Sequence, residues 1–170
     1  MTIRADLHEG DGKVVYLAGP MSGYPEFNFP RFNAVTTCLR IFGFEVFNPA
    51  EADIERHGGI DISKGNLTGD QAQAKAEHKF SLREALGVDL DFICHKANAL
   101  YMLPGWEVSF GCMAEHAAAV ALMKNKENME IVYLTERECQ NMERTVKRME
   151  EQDNDLADRL IREGETDVGC

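Results

Sequence analysis

Four short runs of β-forming, apolar residues recur along the chain, and the segments between them are long enough for helices. "KVVYLAG" (13–19) stops at Gly19-Pro20, "FEVFNP" (44–49) stops at Pro49, "NALYML" (98–103) ends before a turn at Pro104, and "EIVYL" (130–134) closes the series. Runs this short and apolar, bounded by Gly or Pro, predict buried strands. Between them the apolar spacing changes to three and four. In "NFPRFNAVTTCLRIFG" (28–43) Phe32, Val35, Leu39 and Phe42 share a helix face, Pro30 suits the first turn and Gly43 the C-terminal cap. "SLREALGVDLDFICHKA" (81–97) repeats the spacing through Leu82, Leu86, Leu90 and Ile93, and "WEVSFGCMAEHAAAVALMKN" (106–125) predicts a third helix. The order β-α-β-(insertion)-α-β-α-β implies an α/β fold, a parallel sheet with right-handed crossovers and helices on both faces.

With 170 residues the chain has room for one domain and a sizeable core. The α/β unit is expected over 13–135, behind a polar lead-in at 1–12. Within it, "HGGIDISKGNLTGDQAQAKAEHK" is Gly-rich, polar and without sustained periodicity, so 50–79 reads as a lid, a binding loop or a disordered insertion. From 136 to 170 the chain is dense in charge. Met142, Val146, Met149, Leu156 and Leu160 form one apolar stripe there, which predicts a helix that docks on the domain or joins copies of the chain.

A formal net charge of −11 argues against a nucleic-acid polymer or an anionic membrane as partner, but leaves room for a small anion in a locally basic pocket. No apolar run approaches the roughly 20 residues of a membrane span. The start of the chain has no signal-peptide pattern. Cysteines 38, 94, 112, 139 and 170 are scattered without a CxxC pair, as expected of thiols in a reducing cytoplasm, and Cys38, Cys94 and Cys112 read as small buried hydrophobes. His57, His78 and His95 lack metal-ligand spacing, so neither a metal site nor a cofactor is expected.

Ligands of open parallel sheets bind beyond the carboxyl ends of the strands. That rule selects 19–23, 48–51 and 104–109, together with the first turns of the helices that follow, where backbone N–H groups favour an anion. One carboxylate, Glu115, lies among small apolar residues in the third helix, six positions after Ser109 and four after Gly111. Burying it uncompensated is unfavourable. Two roles stay open: an ion pair on a solvated face, or a carboxylate aimed at a ligand through the room left by Gly111 and Ala114. In "VDLDFI" at most one of Asp89 and Asp91 can face the core. A solvent-facing pair is the plain alternative, whereas two carboxylates converging from separate helices suit glycosyl chemistry. Trp106 could stack on a base or plug the strand end. Phe27, Phe29 and Phe32 could wall a base pocket or pack in the core. His116, adjacent to Glu115, points elsewhere on the helix.

"VYLAGPMSGYPEFNFPRFN", "GFEVFNPAE", "DLDFI" and "LPGWEVSFGCMAEHAAA" together resemble the nucleoside 2-deoxyribosyltransferase-like superfamily over about residues 13–135, in particular a branch common in phage and prophage genomes. Its known members are deoxyribosyltransferases and 2′-deoxynucleoside 5′-monophosphate N-glycosidases. The resemblance implies a flavodoxin-like (Rossmann-like) sheet, homo-oligomers with sites near subunit boundaries, and a small deoxynucleoside or deoxynucleotide as partner. It also implies roles. Glu115 would be the nucleophile, Asp89 (or Asp91, one residue being inserted before the third strand) the acid that orients or protonates, and Tyr16 the hydrogen-bond donor that aims the carboxylate. The loop of Gly19, Pro20, Met21, Ser22 and Gly23 would bind substrate, with Trp106 and Gly111 beside it. Ser109 would receive a 5′-hydroxyl or 5′-phosphate, and a serine there implies a nucleotide. Two positions depart from the superfamily's pattern. Ser22 replaces a first-loop arginine, so phosphate affinity would need Arg31 or Lys64, and Asn98 replaces an acid at the start of strand three. The expected function is cleavage or transfer of an N-glycosidic bond. The alternative is a non-catalytic module on the same scaffold that senses a nucleotide derivative or binds a host protein.

Overall fold

The computed structural model describes residues 12–166, with side chains described as far as Leu156; the expected lead-in lies almost wholly outside the described residues. Strands β1 (Val14–Ala18), β2 (Glu45–Phe47), β3 (Ala99–Met102) and β4 (Glu130–Tyr133) form one parallel sheet in the order β2-β1-β3-β4. β1 and β3 pair centrally, Val15 with Ala99 through Ala18 with Met102. Because both faces of these two strands are covered, their residues are buried almost completely. Strand alternation sends Val15 and Leu17 to one face and Tyr16 and Ala18 to the other.

The Val15 and Leu17 face packs against α1 (Phe29–Ile41) through Phe32, Val35 and Leu39, and against α6 (Glu136–Thr166) through Cys139 and Met142. The Tyr16 face is covered by α4 (Leu82–His95) and α5 (Phe110–Lys124), which bury Ile93, Cys112 and Ala119. Helices therefore lie on both faces, as the order of runs predicts. No helix among the described residues is long and apolar enough to cross a membrane.

Several local expectations change. The segment 50–79 is not one irregular loop. Asn48 caps α2 (Pro49–Arg56) by accepting the Ala50 N–H at 2.9 Å, and Asp70 caps α3 (Gln71–His78) by accepting the Ala72 N–H at 2.8 Å. Few apolar residues mark these helices; α3 buries only Ala74. The expected helix at 106–125 is broken: a 3-10 turn at Trp106–Val108 precedes extended Ser109, and α5 starts at Phe110. Cys94 is exposed rather than buried, while Cys38, Cys112 and Cys139 are buried thiols. The C-terminal helix docks through Met142 and Val146, and its further apolar position Leu156 is exposed at 57%. Leu160 lies outside the described side chains. Arg31 ties α6 to α1, donating to Glu136 at 2.8 and 2.9 Å and to Glu143 at 2.6 Å.

Candidate active site

The strand order reverses between β1 and β3, since the chain passes from β1 to β2 on one side and β3 and β4 lie on the other. The loops leaving their carboxyl ends diverge and leave a crevice. Gly19 is required here: a Cβ would lie 2.6 Å from Leu103 Cδ1, so the two exits can run against each other only without a side chain at 19. The crevice is a cavity of about 340 Å³.

Three carboxylates reach it from three helices. On α5 the buried stripe is Cys112, Glu115 and Ala119, so Glu115 occupies the sheet-facing row and is 6% exposed. On α4 the buried row is Ala85, Asp89 and Ile93, not the leucines, and Asp89 is 8% exposed. On α2, Asp53 shares the buried row with Pro49 and Ala50. All three acids line the cavity.

Tyr16 sits behind them. Fully buried on β1, its hydroxyl donates to Glu115 Oε1 at 2.9 Å, and its ring stacks on Phe47 at 5.4 Å. The other carboxylate oxygen, Oε2, is buried without a hydrogen-bond partner, as is Asp89 Oδ1. Two unsatisfied acceptors on one cavity wall are costly unless a ligand or a proton meets them.

The electrostatics follow from that crowding. Burial pushes Glu115 up to about 8, with the Asp89 charge adding to it and the Tyr16 and Cys112 donors pulling back. Asp89 is pushed up to about 7 by burial and then by Asp53, against Tyr16 and Arg56. Asp53 rises to about 6 by burial, partly offset by Arg56 and His57. Like charges this close cannot all ionise easily, so Glu115 and Asp89 titrate as a pair that holds a proton near neutral pH.

Ser109, at the N-cap of α5, accepts the Cys112 N–H at 3.5 Å and lines the cavity with Gly111, Gly19, Pro20, Met21 and Ser22. Gly23 does not line it; its N–H donates to the Gly69 carbonyl at 3.0 Å. Asp91 points to solvent beside His95 at 3.1 Å, so Asp89 is the acid at the cavity. Trp106 stacks on His116 at 4.4 Å, His116 bonds the Tyr133 hydroxyl at 2.7 Å, and neither residue lines the cavity. Asn98 accepts the Val14 N–H at 3.0 Å and serves the sheet. Arg31 is committed to α6, and exposed Lys64 does not line the cavity.

Other walls are not marked in the sequence by a residue pattern. Asp53 follows the second strand by a turn of α2, within reach of the strand-end rule but beyond the 48–51 it selects. Glu26, Phe27 and Asn28 adopt left-handed φ of 51°, 50° and 62°, a conformation disfavoured for non-glycine residues. The turn is held by Glu26 N–H to the Asn66 carbonyl at 2.8 Å and Asn28 Nδ2 to the Pro20 carbonyl at 3.0 Å, and it sets Phe27 in the cavity wall. Gln71 donates to Ser22 Oγ at 2.5 Å, strapping the start of α3 to the first loop. Among the described residues no cluster of three or more His, Cys, Asp or Glu could hold a metal ion.

A family model described as "Domain of unknown function (DUF4406)" matches residues 13–128, the span that carries Tyr16, Asp53, Asp89 and Glu115. Neither a curated protein nor a solved structure matches the chain.

Proposed function

We propose, for a chain that belongs to the DUF4406 family, that it cleaves or transfers the N-glycosidic bond of a 2′-deoxynucleoside or its 5′-monophosphate. The observation that carries this reading is the buried Glu115, which lines the cavity, takes the Tyr16 hydroxyl on Oε1 and leaves Oε2 without a hydrogen-bond partner. The likeness of its motifs to the nucleoside 2-deoxyribosyltransferase-like superfamily supports it from the sequence side.

In the first step Glu115 Oε2 attacks C1′, the C1′–N bond breaks, and the base leaves with the electron pair and a proton from Asp89. A deoxyribosyl ester of Glu115 results. Water then attacks C1′, Asp89 takes its proton, and the free sugar and the Glu115 carboxylate are restored; a second base in place of water gives transfer. The larger upward shift falls on Glu115, so the resting pair favours the proton there. Reaction proceeds from the tautomer with the proton on Asp89 and Glu115 ionised, which the Tyr16 hydrogen bond and the developing positive charge on the sugar both favour. Apolar walls from Phe27, Phe80 and Leu86 suit the face of a base.

The test is to incubate the full chain with deoxynucleosides and their monophosphates and follow free base by chromatography. Base release by the wild-type chain, lost in Glu115→Gln, is expected. Ligand-dependent thermal stabilisation with no product from any substrate points instead to a binding module.

A further inference from the structure

From the charge of the cavity wall we infer that this site takes an uncharged deoxynucleoside and rejects its 5′-monophosphate. The inference rests on the glycosidic reading for the ligand's class, but its charge argument is independent of catalysis. Asp53, Asp89 and Glu115 all line the cavity, and no Lys, Arg or His joins them among the described residues.

The three arginines of α1 and α2 are held by acids, and none of them lines the cavity. Arg56 pairs with Asp53 at 2.5 Å through Nη2; its Nη1 is buried without a partner, but the residue does not line the cavity. Arg40 holds Glu51 at 2.7 and 2.8 Å. Arg31 is held by Glu136 and Glu143. Ser22 stands in the first loop, and its hydroxyl is engaged by Gln71.

The unmet groups of the cavity-lining residues point the same way. Glu115 Oε2 and Asp89 Oδ1 are buried acceptors without partners, and they call for donors. Sugar hydroxyls and base N–H groups are donors, whereas a phosphate dianion offers only acceptors. Like charges across a water-poor cavity repel more strongly than they do in bulk water. A dianion meets the charge that the Glu115–Asp89 pair retains, and Asp53 beyond what Arg56 offsets. The serine at 109, which by resemblance implies a nucleotide, has only the start of α5 to offer a phosphate.

The test measures binding and turnover separately. Thermal stabilisation and calorimetry of the full chain would use deoxyadenosine, deoxycytidine, deoxyguanosine and thymidine, their 5′-monophosphates, and inorganic phosphate, at low salt. At least one nucleoside is expected to bind at least about tenfold more tightly than its monophosphate. Inorganic phosphate should give no stabilisation. Added NaCl should narrow the gap by screening. Asp53→Asn should narrow it further, because an acid is removed and Arg56 is released. A monophosphate that binds or turns over as well as its nucleoside overturns the inference and leaves the glycosidic reading intact, and stabilisation by none of these compounds overturns it too. Nucleoside-selective binding without base release supports the charge argument while removing the glycosidic reading.

Discussion

Tyr16 and Glu115 are joined by a buried hydrogen bond at the site, and each has a measurable signature. Tyr16→Phe leaves Glu115 Oε1 without its donor, so stability should fall by about 1–3 kcal/mol in chemical denaturation. Losing the donor also favours the protonated acid, so the acid limb of the pH–rate profile should move to higher pH. Because the reading needs one proton on the Glu115–Asp89 pair, kcat/KM should be bell-shaped about neutrality, limited by double protonation on the acid side and by double ionisation on the alkaline side. Linkage fixes a second sign. Burial and the Asp89 charge push Glu115 up to about 8, above its ordinary 4.5, so between those values the native state binds more protons and stability falls as pH rises. Glu115→Gln removes that loss. The variant should be more stable than wild type above about pH 8, by about 1–3 kcal/mol, while matching it more closely near pH 4.

At the scale of elements, the strap between the first loop and the segment before α3 shapes the cavity. Gly69 has φ +63°, and a Cβ there would overlap the backbone carbonyl of Tyr24. Backbone cannot give way as a side-chain tip can. Gly69→Ala should therefore destabilise by about 2 kcal/mol or more and speed amide exchange across 57–80, read by hydrogen exchange and mass spectrometry. The four strands were legible because their apolar runs are short and bounded by Gly, Pro or polar residues. Glu115 stood out as an acid among small apolar residues, whereas Asp89 was singled out beside Asp91 only by the resemblance, because the leucine spacing marks a different face of α4. Helices α2 and α3 were not legible, since they bury little and announce themselves mainly through the Asn48 and Asp70 caps. Of the two roles open for Trp106, packing at the strand end fits its place against the Tyr16 cluster, set by a 3-10 turn and a ring contact with His116 that no spacing encodes. The left-handed turn that places Phe27 has no sequence mark beyond Asn28, a residue that tolerates the conformation.

Over the whole molecule, the sheet needs α6 although the family match ends at residue 128, before β4 and α6. Met142 is 2% exposed against α1, and Met142→Ala should cost about 2–5 kcal/mol, visible as a lowered Tm. The tail is thus part of the core that holds the crevice in shape. The topology itself concentrates the chemistry: reversal of strand order opens a gap at one sheet edge, and helices from both sides of the gap present acids to it. What gives this arrangement a purpose is the attack of Glu115 on a sugar carbon. Rapid quenching of the chain with a deoxynucleoside that it cleaves, followed by peptide mass mapping, reads that step directly. A deoxyribosyl adduct on the peptide and side chain of Glu115 is the expected result. Base release at full rate with no adduct on Glu115, and with the same rate in Glu115→Gln, contradicts it.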